Sequence, residues 1–213
     1  MTEVKICGLT RIEDAEFAAK HGAWALGMIM WKGSKRYCPP EQATEIAHVI
    51  GRRAELVGVF VDAKLDDVAA AVEECGFTMI QLHGDEGTQY CKEIARRTGC
   101  RVIKAIRIEN LASAQDARQV RNIDYYLADT FKAGLQGGTG ETFDWRLLRG
   151  LKANAPLILS GGLTAENVAA GIDTTHPFAV DVSSGVEVSP GVKDHDKILE
   201  FIAQARSDDT VAA

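Results

Sequence analysis

Short, nearly continuous apolar runs alternate along the chain with stretches of helical periodicity. We interpret eight of these runs as strands: residues 4–7, 25–30, 56–61, 79–83, 102–107, 125–129, 157–160 and 178–183. Uninterrupted apolar character is typical of parallel strands that are buried on both faces. Helix signals lie between the strands. Residues 66–72 precede Gly76, and residues 164–168 begin like a capping box that lacks the usual Glu at its fourth position.

The spacing of the strand ends predicts the architecture. Consecutive ends lie about 25 residues apart on average, which accommodates one strand, one helix and two tight turns. No residue-level consensus recurs from unit to unit, so a solenoid is not indicated. Because eight βα units close a barrel, we predict an α/β protein with a single compact (β/α)8 TIM barrel over residues 1–206 and a flexible tail at 207–213. An open, doubly wound sheet has the same periodicity and is the alternative.

Composition narrows the functional classes. A chain of 213 residues with 46% hydrophobic and 25% charged residues is long and apolar enough for one folded domain. A net charge of -6 disfavours a broad electrostatic contact with nucleic acid. The longest apolar runs, such as residues 24–30, are too short to cross a bilayer, and the N-terminus has no signal-peptide pattern. We therefore expect a cytoplasmic protein without a membrane partner.

Cysteine and histidine spacing disfavours disulfides and zinc. The five cysteines include no Cys-x-x-Cys pair, and the five histidines include no His-x-x-x-His pair. Free thiols and no metal site are expected in a reducing compartment.

Chemically reactive side chains stand where the predicted strands end: Cys7, His83, Arg107, Asp129, Ser160, Asp181 and Ser183. Singly, each has a plain explanation, such as an inert small hydrophobe or a turn cap. Because the carboxyl ends of barrel strands meet at one mouth, their joint placement predicts a site there. Two long segments, 31–39 and 130–142, follow strands two and six at the same mouth. They are either binding loops or tolerated insertions.

The last two units predict a phosphate site. Ser160-Gly161-Gly162-Leu163 follows strand seven, and Ser183-Ser184-Gly185 follows strand eight and could form a short extra helical turn. Barrels commonly hold phosphate at these two loops, although both could be simple βα turns. The Gly-Gly-Thr-Gly segment at 137–140 matches neither a P-loop nor a dinucleotide fingerprint. It is typical of a flexible hinge or lid and, almost equally, of a plain mobile loop.

Several motifs together resemble one enzyme family. They are KICGLT at 5–10, SKRY at 34–37, QLHGDE at 81–86, DT at 129–130, GGTG at 137–140, SGGL at 160–163, DVSSGVE at 181–187 and PGVKD at 190–194. In this order they resemble the phosphoribosylanthranilate isomerases of tryptophan biosynthesis. The chain departs from the common family pattern at Lys35, where proline is frequent, and at Met30-Trp31, where Phe is frequent. Trp31 either replaces the missing ring contact or covers the barrel rim, and we slightly favour the rim.

The resemblance implies a cofactor-free Amadori rearrangement of N-(5′-phosphoribosyl)anthranilate to 1-(2-carboxyphenylamino)-1-deoxyribulose 5-phosphate. It implies that Cys7 is the general base and Asp129 the general acid. Arg36 would hold the anthranilate carboxylate, and His83 and Asp181 would line the mouth near the sugar. The phosphate-binding residues implied are Gly161, Gly162, Ser183, Ser184 and Gly185. The partner is thus a small phosphosugar, and the protein is a monomer or a homodimer.

The two catalytic roles require opposite tuning of the pKa. The Cys7 thiol needs a lowered pKa, and the Asp129 carboxyl needs a raised one. Lys5 lies two residues before Cys7 and so on the same side of the strand, where its charge would favour the thiolate. Two rivals remain. One is another phosphosugar isomerase or epimerase on this scaffold, and the other is a non-catalytic phospholigand-binding barrel.

Overall fold

Eight parallel strands form a closed barrel in the computed structural model, which describes residues 1–116, 119–130, 144–149 and 153–207. The strands are β1 (Glu3–Cys7), β2 (Ala25–Ile29), β3 (Glu55–Phe60), β4 (Met79–Leu82), β5 (Arg101–Ile108), β6 (Tyr125–Thr130), β7 (Leu157–Leu159) and β8 (Ala179–Val182). Because β1 pairs directly with β8, the barrel is confirmed and the open sheet was the wrong alternative. Every strand end lies within one residue of its predicted position.

Helices connect the strands on the outside of the barrel. They are α1 (Ile12–Lys20), α2 (Pro40–Ile50), α3 (Leu65–Cys75), α4 (Thr88–Thr98), α5 (Leu111–Asp116), α6 (Val168–Thr175) and α7 (His195–Ala205). A 3-10 turn, Trp145–Leu148, precedes β7, and a two-stranded hairpin of β9 (Glu187–Ser189) and β10 (Val192–Lys193) precedes α7. None of the helices in the described ranges has the length and apolar character of a membrane span.

Local sequence explains several helix ends. Gly76 ends α3 with a φ of 69°, a conformation that glycine adopts without a side-chain penalty. Asp194 begins α7, where its carboxylate accepts hydrogen bonds from the backbone N–H groups of Asp196 and Lys197. The prediction that a helix begins at Thr164 was wrong, because α6 begins at Val168. Asn167 Oδ1 accepts a hydrogen bond from the Thr164 N–H at 2.9 Å, and this bond holds residues 164–167 in a separate turn.

The strands bury two distinct apolar layers. Alternate side chains point outwards to the helices, and the others fill the barrel interior with mostly small or branched groups. The interior cluster comprises Cys7, Ala25, Val57, Val59, Met79, Ile103, Ala105, Leu127, Ile158 and Ala179. Lys5 and Asp181 are register partners across the β1–β8 seam, so the barrel closes around a buried ion pair.

The predicted segment 137–140 lies outside the described residues, and so does the predicted tail except for Ser207. Both stay predictions.

Candidate active site

A cavity of about 740 Å³, counting the part open to solvent, lies at the carboxyl ends of the strands. It brings together nine of the ten predicted site residues: Cys7, Arg36, His83, Asp129, Gly161, Gly162, Asp181, Ser183 and Ser184. Gly185 is not among its lining residues, and neither is Arg107, which contacts the backbone oxygen of His83 at 3.4 Å. The cavity is thus the barrel mouth that the strand ends predict.

Cys7 and Lys5 face the barrel interior on the same side of β1, as their spacing predicts. A Cβ on Gly27, the register partner of Cys7, would lie 2.8 Å from Cys7 Sγ and 3.2 Å from Lys5 Nζ. Glycine in β2 therefore makes room for both side chains. Lys5 Nζ donates to Asp181 Oδ1 at 2.8 Å, and Ser160 Oγ donates to Asp181 Oδ2 at 3.2 Å.

Burial raises the pKa of the Cys7 thiol above its ordinary value. The positive charges of Lys5 and Lys193 act to lower that pKa, whereas the charge of Asp181 raises it. Burial likewise acts to lower the pKa of Lys5, but Asp181 and Cys7 outweigh it, and the pKa of Lys5 is raised. The lowered thiol pKa expected from the sequence is therefore wrong in its net direction, although the contribution of Lys5 has the expected sign.

Asp129 is held at the end of β6 by two contacts. Its Oδ1 accepts a hydrogen bond from the Thr130 N–H at 2.8 Å, and its Oδ2 lies 3.2 Å from His83 Nε2. Gln81 Nε2 lies 2.9 Å from His83 Nδ1, which makes Nδ1 an acceptor and leaves Nε2 to donate to Asp129. Gln81 was missed at the sequence level. Strand alternation could have found it, because it lies two residues before His83 on the same face.

Arg36 enters the cavity from the segment after β2 and is paired with a carboxylate distant in sequence. Its Nε and Nη2 donate to Glu187 at 2.8 and 2.7 Å, respectively. Glu187 also accepts from Lys193 Nζ at 2.9 Å. Both partners lie inside the recognised motifs, yet no sequence signal indicates that they meet Arg36.

The loops after β7 and β8 form a second wall of the cavity. This wall adjoins Arg36 at Ser183, since a Cβ on Gly8 would lie 2.7 Å from Arg36 Cδ and 2.8 Å from Ser183 Oγ. Gly161 and Gly162 have φ values of 87° and 68°, and their N–H groups donate to no oxygen of the described residues. Ser183 Oγ is buried, and nothing in the described part of the chain hydrogen-bonds to it. The predicted extra helical turn is confirmed at Ser184–Val186. These are donors of the kind that bind phosphate oxygens.

Gly185 has a packing role in this wall. A Cβ at this position would clash with the carbonyl oxygen of Leu163. Its lack of a side chain therefore lets the loop after β8 approach the loop after β7.

Part of the cavity lining is apolar. It is formed by Ile29, Trp31, Val59 and Val61. Trp31 is 36% exposed and also lines the cavity, which is where the alternative role as a ring contact requires it. No cluster of three or more His, Cys, Asp or Glu side chains suited to a metal ion occurs in the described ranges.

Comparison with known proteins decides the family. The family model described as N-(5'phosphoribosyl)anthranilate (PRA) isomerase matches residues 4–204. The chain belongs to this family. A curated N-(5'-phosphoribosyl)anthranilate isomerase from Geobacter sp. (strain M21) is 43% identical over 209 residues, covering 97% of this chain and 98% of the relative.

Solved structures of the family have the same fold. The phosphoribosyl anthranilate isomerase of Thermotoga maritima superposes with a TM-score of 0.88 at 40% identity, covering 97% of this chain and 100% of that one. A phosphoribosyl anthranilate isomerase in complex with reduced 1-(o-carboxyphenylamino)-1-deoxyribulose 5-phosphate superposes with a TM-score of 0.82 at 39% identity, with the same coverage of both chains.

The departure from the family pattern at Lys35 does not reach the cavity. Lys35 is exposed, and the loop around it is held by hydrogen bonds from Arg36 N to Ser34 Oγ at 3.1 Å and from Cys38 N to Ile29 O at 2.8 Å. Turn bonds thus hold this family loop without proline.

Proposed function

We propose that this chain catalyses the isomerisation of N-(5′-phosphoribosyl)anthranilate to 1-(2-carboxyphenylamino)-1-deoxyribulose 5-phosphate, with Asp129 as general acid and Cys7 as general base. The main supporting observation is that one cavity presents a thiol and a carboxylate together with two kinds of anion-binding group. These are the Arg36 guanidinium and the glycine- and serine-containing loops after β7 and β8. This isomerisation is a step of L-tryptophan biosynthesis, and the proposed location is the cytoplasm.

The polarity of the cavity supports this substrate. The glycine-rich loops suit its phosphate, and the guanidinium of Arg36 suits its ring carboxylate. Trp31 and the aliphatic side chains beside it suit the anthranilate ring. Gln81 Oε1 is buried, and no group of the described residues donates a hydrogen bond to it, so it can accept one from a sugar hydroxyl.

The reaction needs one acid and one base. In the proposed first step, Asp129 gives its proton to the ring oxygen of the ribose, the C1′–O4′ bond breaks, and the amine nitrogen supplies the electron pair of an iminium ion. The Cys7 thiolate then removes the proton from C2′. The resulting enolamine tautomerises to the ketone, so the product is an isomer of the substrate. Acid and base steps of this kind each contribute roughly 10²–10⁴-fold.

Neighbouring side chains orient the proposed acid and place a positive charge beside the proposed base. His83 and Thr130 fix the orientation of Asp129, so its position does not depend on the substrate. Lys5 stabilises the charged form of Cys7 from inside the barrel. Asp181 is held by Lys5 and Ser160 at the cavity wall, where we assign it to sugar binding.

Turnover with the substrate tests this proposal. Phosphoribosylanthranilate, generated in the assay mixture, loses its fluorescence on conversion. The product is identified by reducing it with borohydride and comparing its chromatographic retention with that of authentic reduced 1-(2-carboxyphenylamino)-1-deoxyribulose 5-phosphate. We expect conversion that persists with a chelator present. A folded protein that leaves the substrate unchanged contradicts the proposal. Activity on another phosphosugar with strict metal dependence would instead support the epimerase rival.

A further inference from the structure

Glu187 is buried beside the active-site cavity but does not line it. Its side chain is 5% exposed, and it lies at the start of β9, 151 residues after Arg36 in the chain. A buried carboxylate is costly unless its oxygens are fully paired. The hydrogen-bond partners of the Glu187 carboxylate therefore indicate its role.

Both oxygens of Glu187 are occupied by protein donors. Oε1 accepts from Arg36 Nε at 2.8 Å, from Lys193 Nζ at 2.9 Å and from the Gly191 N–H at 3.2 Å. Oε2 accepts from Arg36 Nη2 at 2.7 Å. Burial alone would raise the pKa of Glu187, but the hydrogen bonds and charges of Arg36 and Lys193 hold it below its ordinary value. No oxygen is left for a substrate proton, so Glu187 acts through Arg36.

The pairing fixes one edge of the Arg36 guanidinium. Nε and Nη2 form the forked contact that a carboxylate prefers, and within the described residues Nη1 has no hydrogen-bond partner. The aliphatic part of Arg36 lies on Gly8, where a Cβ would be only 2.7 Å from Arg36 Cδ. Arg36 is thus held from both sides, with Nη1 left for a second carboxylate.

Lys193 joins this arrangement to the strand that carries the base. Its Nζ donates to the carbonyl oxygen of Cys7 at 2.6 Å and to that of Ser183 at 3.1 Å, as well as to Glu187. The side chain of Lys193 is fully buried. A single ammonium group therefore ties the ends of β1 and β8 to the carboxylate that orients Arg36.

We propose that Glu187 is a positioning residue that determines specificity, since it orients Arg36 to select the ring carboxylate of the substrate and is itself anchored by Lys193. This inference rests on the proposed function. A rotationally free arginine loses side-chain entropy whenever it binds a carboxylate, whereas a clamped one has already lost it. The proposal predicts that loss of the clamp weakens recognition of the carboxylate alone.

Two competitive ligands distinguish positioning from general structural support. One is reduced 1-(2-carboxyphenylamino)-1-deoxyribulose 5-phosphate, and the other is the same compound without the ring carboxylate. Dissociation constants are measured by calorimetry for the wild type, Glu187→Gln and Arg36→Gln. Glu93→Gln is the matched control, because Glu93 pairs with Arg96 and Arg97 on the surface of α4.

We expect the wild type and Glu93→Gln to prefer the carboxylate ligand equally. Glu187→Gln should raise the dissociation constant of the carboxylate ligand about ten- to hundred-fold, since a charge-assisted contact is lost. The dissociation constant of the ligand without the carboxylate should change less than about threefold. Arg36→Gln should abolish the preference. In turnover, Glu187→Gln should raise KM more than it lowers kcat, the pattern of lost binding shared by ground and transition states.

Equal weakening of both ligands by Glu187→Gln, or no change in either, overturns the inference. If that variant does not fold, Glu187→Asp keeps the negative charge but shortens the side chain by one methylene. Its contact with Arg36 should lengthen, and the same selective loss is expected. A wild type that turns over the substrate but binds both ligands equally overturns the inference and leaves the proposed function intact. A wild type without turnover and without preference overturns both.

Discussion

The Cys7 thiol shows how the environment of one residue sets its chemistry. Burial raises its pKa, and Lys5 and Lys193 limit the rise. Because the thiolate is the proposed base and the raised pKa keeps most of the thiol protonated near neutrality, kcat/KM should increase with pH below that pKa. The increase should approach tenfold per pH unit. The pH profile of kcat/KM measures this, and a profile that is flat from pH 6 to 8 would contradict it.

Removing the charge of Lys5 should raise the thiol pKa further, since Lys5 lowers it and the Asp181 carboxylate left behind raises it. The measurement is the pH dependence of iodoacetamide alkylation at Cys7, followed by mass spectrometry of its peptide. Lys5→Met should shift the titration to higher pH. Lys20→Met, an exposed lysine of α1, is the control and should not shift it. An unchanged titration in Lys5→Met would show that Lys5 has no electrostatic role.

Gly161 is a residue for which both conformation and space require glycine. Its φ is 87°, and a Cβ there would lie 2.6 Å from the Thr130 N–H nitrogen and 3.0 Å from Asp129 Oδ1. Gly161→Ala should therefore displace the proposed acid and lower kcat about a hundredfold. Gly87→Ala, with open space at the added methyl, should keep kcat within about twofold of the wild type. Comparable kcat values in the two variants would refute this role.

At the scale of elements, sequence pattern predicted the barrel well because each strand is a short apolar run between polar turns. The start of α6 was predicted wrongly because one local hydrogen bond sets it. The Thr164 N–H donates this bond to Asn167 Oδ1. The Arg36–Glu187 ion pair was missed for the opposite reason. Its partners are 151 residues apart, and only the closed barrel places β9 beside the segment after β2.

Asp14 links three elements and should contribute strongly to stability. It is buried in α1 and accepts hydrogen bonds from the Lys193 N–H of β10 at 3.0 Å, while His195 Nε2 at the start of α7 lies 3.0 Å from it. Asp14→Ala leaves the buried Lys193 N–H unpaired and should lower the free energy of unfolding by roughly 1–3 kcal/mol. Urea denaturation measures this, with the exposed Glu16→Gln as control. A loss below about 0.5 kcal/mol would contradict the linking role.

For the whole molecule, α7 completes the helical layer over the seam where β1 meets β8. Ile198, Phe201 and Ile202 of α7 are buried in the outer apolar layer, against α1 and α6. A chain ending at residue 194 should therefore lose cooperative unfolding. A chain ending at residue 207 should keep the urea midpoint of the full chain, which also tests the predicted tail. A cooperative transition in the shorter chain would show that closure does not need α7.

The proposed roles of Cys7 as base and Asp129 as acid are tested most directly by comparing Cys7→Ala and Asp129→Asn with the wild type. Fluorescence loss of phosphoribosylanthranilate is followed with chelator present, and Cys100→Ala and Asp173→Asn serve as matched controls outside the cavity. We predict that both cavity variants bind the reduced product but lose roughly 10²–10⁴-fold in kcat, while the two control variants keep the kcat of the wild type. A folded Cys7→Ala or Asp129→Asn variant with kcat within about tenfold of the wild type would contradict the assignment of that residue as base or acid.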